Sequence, residues 1–374
     1  MAKAPLLVLS PNTNIEWHEG EVLVGLSSGR QVKVEAPLLP LLQAFGFPTS
    51  VDVVLRQFVE HRSEMSELIG HLKDVGVLRE LPTVQKMADE ASFLVYDDKG
   101  MTLANCAKEE LSPGCQACKN GTWCCVFPGW DCNAACDFCP QPSMADASEP
   151  QDLWCDRLLA ELELSGHRLT GLSLSGGEFL LYKDASARIA RFARHRFPDI
   201  HLWGYTNGIL ANRETLVEVQ AWGLNELRFD LAATGFAGPI IEHVEVAVDL
   251  FDWVVVEVPA LESTVTHLVD RSMLSLLADI GVKQINLVEM LLAPGTPSAT
   301  NYGDSPTYEV CVAPNTVTLA LSESRGHTRD IMEYAHDHDV DMLINDCSAE
   351  AKYLQHRQRE MKGLARLQLM AQRR

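Results

Sequence analysis

From Trp123 onward, short apolar runs alternate with longer segments whose apolar positions recur every three or four residues. The runs at 123–127, 171–174, 201–205, 226–231, 253–259 and 284–290 are short and rich in Val, Ile, Leu and aromatic residues. That pattern predicts strands covered on both faces. The segments 153–164, 185–195, 213–221, 240–249 and 265–280 predict helices. Six strands alternating with these helices imply an α/β fold, with a parallel sheet curled into a partial (β/α)6 barrel over residues 123–295. Ligands of such a barrel gather at the C-terminal ends of its strands.

The first ~85 residues follow another pattern and predict a separate small α+β domain. The start, residues 1–9, and the stretches 15–17, 21–26 and 30–35 read as short strands, with turns at 18–20 and 27–29. Residues 38–45 form a short apolar helix before Pro48. Thr49 or Ser50 caps a second helix with Val51, Val54, Leu55, Phe58 and Val59 on one face. Ser63 opens a third, bearing Met65, Leu68, Ile69 and Leu72. Gly76 closes it, and Val77 and Leu78 begin a strand. Residues 86–122 read as a polar linker with one short strand near 93–96. Residues 296–374 form a C-terminal extension ending in a basic helix from Ala349 onward.

Charge and cysteine content narrow the chemistry. The net charge of −20 argues against a broad phosphate-binding surface, so nucleic acid is not the expected partner. No run approaches a membrane-spanning length, and the start lacks the features of a signal peptide. Eight of the eleven cysteines lie between Cys106 and Cys139. Metal ligation in a reducing cytoplasm is therefore expected rather than disulfides.

Cys132, Cys136 and Cys139 are spaced C-x3-C-x2-C on the loop after the first barrel strand. Three thiolates so close can hold three corners of a cubane cluster and leave one iron open to a ligand. A zinc knuckle is the plain alternative. The second strand ends in Gly176-Gly177-Glu178, where the glycines permit close backbone approach. The third ends in Thr206-Asn207-Gly208, which also reads as an asparagine turn. Asp230, Glu257, Asn286 and Glu289 are polar groups on apolar strands that need partners, and Glu289 is the preferred ligand contact. Cys115 and Cys118 form a C-x2-C half-site. With Cys347, and Cys124 as a fourth candidate, they predict a second metal site, an auxiliary iron–sulfur cluster or structural zinc. Cys106, Cys155 and Cys311 read as small buried hydrophobes.

The triad, with Phe138 before its last cysteine, resembles the cluster signature of radical S-adenosylmethionine (SAM) enzymes. Gly176-Gly177-Glu178 resembles that family's SAM-contacting motif. Thr206-Asn207-Gly208 is similar to a motif of pyruvate formate-lyase activating enzymes. The resemblance implies a 4Fe-4S cluster on Cys132, Cys136 and Cys139, with SAM chelated at the open iron. It also implies SAM contacts from Gly176, Gly177, Glu178, Thr206 and Asn207, and reductive cleavage to a 5′-deoxyadenosyl radical. A reductant such as flavodoxin or ferredoxin is implied too. The N-terminal pattern resembles the winged-helix peptide-recognition element of peptide maturases. There a leader peptide adds a strand beside the third strand and packs on the third helix. Glu64, Glu67 and Asp74 argue against a DNA-binding version. The expected activity is thus radical modification of a ribosomally made peptide. The alternatives are a small-molecule radical SAM enzyme, a glycyl-radical activase, and a non-catalytic iron–sulfur or zinc interaction protein.

Overall fold

The computed structural model describes residues 6–10, 14–18, 21–26, 30–45, 49–80, 95–97, 102–141, 149–313 and 316–372. Two compact units emerge: residues 1–92 with 309–318, and residues 93–308 with 319–374. Of the turns expected at 18–20 and 27–29, His18 ends a strand, and residues 19–20 and 27–29 lie outside the described residues, as do linker residues 86–94.

In the first unit, strands β2 (Asn14–His18), β3 (Glu21–Gly25) and β4 (Gln31–Val34) form an antiparallel meander. The alternation in β3 buries Val22 and Val24 and exposes Glu21. A second sheet runs β5 (Thr49–Ser50), β1 (Leu6–Leu9), β6 (Leu78–Glu80). Helices Leu39–Ala44, Val51–Leu55 and Arg62–Asp74 contribute Leu41, Leu42, Val54, Ile69 and Leu72 to one core. Gly76, at φ 83°, ends the third helix, and the Val77 amide donates back to the Leu72 carbonyl at 2.9 Å. The side chains of Thr49 and Ser50, expected to cap the second helix, lie outside the described residues, but their backbone forms a strand. The two residues pair with Leu7 and Leu6, and that helix stops at Leu55.

The second unit is built on one nine-stranded sheet. Its strands are β7 (Val95–Asp97), β8 (Thr102–Ala104), β9 (Trp123–Val126), β10 (Gly171–Leu174), β11 (His201–Thr206), β12 (Glu226–Phe229), β13 (Trp253–Pro259), β14 (Gln284–Val288) and, after three strands of a separate sheet, β18 (Leu343–Cys347). The separate sheet holds β15 (Leu291–Leu292), β16 (Thr307–Ala313) and β17 (Thr316–Leu321). Strands β9 to β14 run parallel in chain order. The six-strand partial barrel expected from the apolar runs is therefore present, and β18 extends it as a seventh parallel strand beside β14. Strands β10 and β12 are buried along their whole length, as a sheet covered on both faces requires.

Helices Gln151–Ser165, Lys183–Arg196, Arg213–Ala221 and Gly238–Leu250 connect successive strands. The single helix expected at 265–280 is instead broken. A π-turn spans Thr266–Asp270, Ser272 takes a left-handed conformation, and Met273–Asp279 resumes the helix. The basic C-terminal helix also divides, at Gly363 (φ 66°), into Ala349–Met361 and Ala365–Met370. Gln368 then brackets the open edge of β9. Its Oε1 accepts from the Cys125 amide and its Nε2 donates to the Cys125 carbonyl, both at 2.9 Å. The edge is thereby covered rather than left for another chain. Among the described residues no helix is long and apolar enough to cross a membrane.

Candidate active site

The loop leaving β9 carries Cys132, Cys136 and Cys139, and its backbone is held by the end of β10. The Gly177 amide donates to the Gly129 carbonyl at 3.1 Å and the Glu178 amide to the Asp131 carbonyl at 2.8 Å. This approach is why both glycines are needed. A Cβ on Gly177 would lie 2.0 Å from the Asp131 oxygen, and one on Gly176 (φ 104°) 2.4 Å from the Gly129 oxygen. The two glycines therefore serve the cysteine loop directly. The Gly177 amide is turned toward that loop, while both glycines also line the cavity described below.

Glu178 is buried, at 1 % exposure. Its Oε1 accepts from the Leu180 amide at 3.2 Å. Its Oε2 accepts from the Thr206 hydroxyl at 3.1 Å and the Asn207 amide at 2.9 Å. Burial nevertheless pushes the carboxyl up to about 7. Thr206 is occupied too, since its hydroxyl accepts from the Gly208 amide at 3.0 Å. Both side chains tie the end of β10 to the end of β11. The Asn207 side chain turns toward the cysteine loop. Its Nδ2 donates to Asn133 Oδ1 at 2.7 Å and lies 3.5 Å from Cys132 Sγ.

These groups border one cavity of about 310 Å³ at the C-terminal ends of the strands. Cys132, Cys136, Cys139, Gly176, Gly177, Glu178, Thr206 and Asn207 all line it. So do Asp230, Glu257 and Lys352. Asp230, just past β12, is raised to about 7 by burial, with Glu257 adding to the shift. Glu257 accepts from Arg228 Nη1 at 3.0 Å and from Asn286 Nδ2 at 2.8 Å. Glu289 also borders the cavity, but its carboxylate is engaged elsewhere. Oε2 accepts from the Ala349 amide at 2.7 Å, at the start of a helix, and Oε1 accepts from the Tyr308 hydroxyl. Glu289 thus borders the cavity and also holds the start of that helix.

A second group of cysteines gathers elsewhere. Cys115, Cys118, Cys125 and Cys347 line a second cavity of about 380 Å³. Cys124 does not, because successive side chains on β9 point to opposite faces. Cys124 is thus replaced by Cys125 in the predicted group. Cys106 and Cys155 are buried as expected, while the side chain of Cys311 lies outside the described residues.

Sequence reasoning also missed Arg228, Lys352 and Arg359. Arg228 is 2 % exposed, bonded to Glu226 at 2.6 Å and stacked near Trp203 and Tyr205. The readable signal was Glu226 and Arg228 two apart on an otherwise apolar strand. Lys352 and Arg359, in the basic C-terminal helix, line the second cavity, and Arg359 sits over the Trp123 ring.

Residues 128–235 match the model of the Radical SAM superfamily. No curated protein matches the sequence. Among solved structures, Streptococcus suis SuiB bound to S-adenosylmethionine aligns at 12 % identity over 91 % of this chain and 72 % of that one, with a TM-score of 0.43. SuiB bound to precursor peptide SuiA aligns at 9 % identity over the same shares, with a TM-score of 0.44. The methyltransferase TsrM from Kitasatospora setae, with tryptophan substrate and a SAM analog, aligns at 14 % over 66 % of this chain and 59 % of that one, with a TM-score of 0.40. The segment bearing the cysteine triad, the glycine pair and Asn207 is a radical SAM domain.

Proposed function

We propose that Cys132, Cys136 and Cys139 ligate a 4Fe-4S cluster, that SAM fills the cavity beside them, and that the substrate is a ribosomally made peptide. The observation that carries the cofactor reading is the single cavity shared by the triad and the ends of β10, β11 and β12. Three thiols facing one open cavity fit a cluster with one iron left for a ligand. When bound, the cluster and SAM supply a 5′-deoxyadenosyl radical that removes hydrogen from the substrate, with a flavodoxin or ferredoxin as electron source.

The chain's own residues shape that chemistry. Asn207 holds Cys132 and Asn133 through its amide. Glu178 locks the β10 and β11 ends together from behind. With the Gly177 and Glu178 amides turned to the loop, the carbonyls of Gly176 and Gly177 are assigned to the SAM ammonium. Asp230, titrating near neutrality, suits hydrogen bonding to ribose hydroxyls. Cys115, Cys118 and Cys347 are assigned to a second metal site. The setting is a reducing cytoplasm.

The peptide reading rests on the first unit. Among the described residues β4 pairs only with β3, so its other edge suits strand addition by a leader peptide. Anaerobic reconstitution with SAM and dithionite tests the chemistry, and 5′-deoxyadenosine is the expected product. Iron-loaded protein that forms none overturns the enzyme reading. For the peptide, the full chain is mixed with the leader region of a precursor encoded beside its gene. Slower amide exchange at Gln31–Val34 is expected, and the absence of binding rejects that substrate class.

A further inference from the structure

We infer that Cys115, Cys118, Cys125 and Cys347 together form a second, fully thiolate-ligated iron–sulfur site, so that no iron there is open to substrate. This deepens the second metal site proposed above and rests on that reading. The four thiols come from three separate places in the fold. Cys115 and Cys118 lie on the helix Pro113–Lys119, Cys125 on β9 and Cys347 at the end of β18. They meet at one cavity, on the side of the half-barrel that its strands leave open between β9 and β18.

Buried donors are already aimed at the sulfurs. Gln284 Nε2 stands 3.1 Å from Cys115 Sγ, Arg228 Nη2 3.4 Å from the same sulfur, and Asn345 Nδ2 3.2 Å from Cys347 Sγ. All three side chains are at most 2 % exposed. Donors of this kind suit thiolate ligands and tune clusters. One contact runs the other way in the thiol form, from Cys115 Sγ to Asn286 Oδ1 at 3.5 Å, and is given up on ligation.

The ligand-bearing helix is fixed from below. Ser112 caps it by accepting from the Cys115 amide at 3.2 Å, and the Ser112 amide donates to Gln284 Oε1 at 2.7 Å. At Gly114 a Cβ would come 2.6 Å from Arg228 Nη2, so the helix lies directly on the Arg228–Glu226 pair. Lys119, Arg228, Lys352 and Arg359 bring positive charge to the cavity wall. The two carboxylates there are each ion-paired, Glu257 with Arg228 and Asp346 with Arg325. An anionic four-thiolate group is matched by that surplus of cations.

The four cysteines line one cavity. Among the described residues no three His, Cys, Asp or Glu side chains meet at one ion's position. Tetrahedral zinc would need all four sulfurs about 2.3 Å from one centre. A cluster spreads its ligands over four irons and needs no single common centre. Three cysteines alone would leave one iron open; Cys125 closes it.

The test is a metal and sulfide count on the full chain after anaerobic reconstitution. About eight irons are expected, and about four after Cys132, Cys136 and Cys139 are all changed to Ala. Those four report the second site regardless of the first, so failure of one reading is separable from failure of the other. Cys125→Ser in the intact chain should lower the count toward four and change the electron paramagnetic resonance spectrum of the second cluster. Cys124→Ser should leave the count at about eight. Stoichiometric zinc, or no more than four irons in the parent chain, overturns the inference. So does a Cys125→Ser chain that keeps both the count and the spectrum.

Discussion

The side-chain amide of Asn207 lies 3.5 Å from Cys132 Sγ, joining the end of β11 to the loop that leaves β9. The same nitrogen donates to Asn133 at 2.7 Å, so one side chain holds two consecutive residues of the cysteine loop. Nothing in the 75-residue interval between them announces this meeting.

Asn207→Leu removes both bonds while leaving the Glu178 contact to its backbone amide in place. Loss of a hydrogen-bond partner of a metal ligand weakens metal binding by about 10–100-fold. Iron release to a chelator under anaerobic conditions should accelerate accordingly. Release at the parent rate would show that Asn207 does not support the loop.

Gly177→Ala sets a methyl against the Asp131 carbonyl, a backbone atom that cannot rotate away. Overpacking of this kind costs about 1–3 kcal/mol. Urea denaturation should show it, with poorer iron loading. Gly238→Ala is the contrast. A Cβ there meets nothing within 4 Å, at the first turn of the helix Gly238–Leu250. It should stabilise by about 0.4–1 kcal/mol.

Glu178 sets a pH dependence whose sign is opposite to that of most carboxylates. Its folded value, about 7, lies above the ordinary 4.5. Between those values the unfolded chain releases a proton that the folded chain retains. The unfolded state then binds fewer protons, so stability falls as pH rises from 4.5 to 7 and is level above. The shift corresponds to ~3 kcal/mol. Urea midpoints at pH 5, 6, 7 and 8 should decline in the metal-free chain and flatten in Glu178→Gln. An equal slope in both would remove Glu178 as the cause.

Arg325 is a buried cation held by Asp346. Glu289 and Glu350 also act on it, and burial, with Glu289 next, raises Glu350 to about 7. Arg325→Leu leaves three buried carboxylates facing one another and should cost about 3–5 kcal/mol. Asp346→Asn, which keeps Arg325 near Glu289 and Glu350, should cost less. Denaturation of the two variants ranks them, and the reverse order would refute this account.

Much of the barrel was readable because its signals are local. Strands covered on both faces need continuous apolar runs, and those at β10 and β13 match the observed bounds. The helix at 265–280 was misread because a left-handed Ser272 leaves no mark on apolar spacing. The seventh parallel strand was harder to place. Leu343–Cys347 follows a hairpin and a helix, so the strand–helix rhythm does not assign it to the barrel.

The sequence alone determined the C-x3-C-x2-C loop, the glycine pair and their places after β9 and β10, because spacing and backbone freedom are properties of neighbouring residues. Only the tertiary structure decided which way each side chain points. Glu178, Thr206 and Glu289 turned out to bind the protein, because buried polar groups take whatever partner packing brings near. The choice of Cys125 over Cys124 is of the same kind. Strand alternation allows one of the two to face the cavity, but which one depends on how β9 lies against β10 and the C-terminal helices.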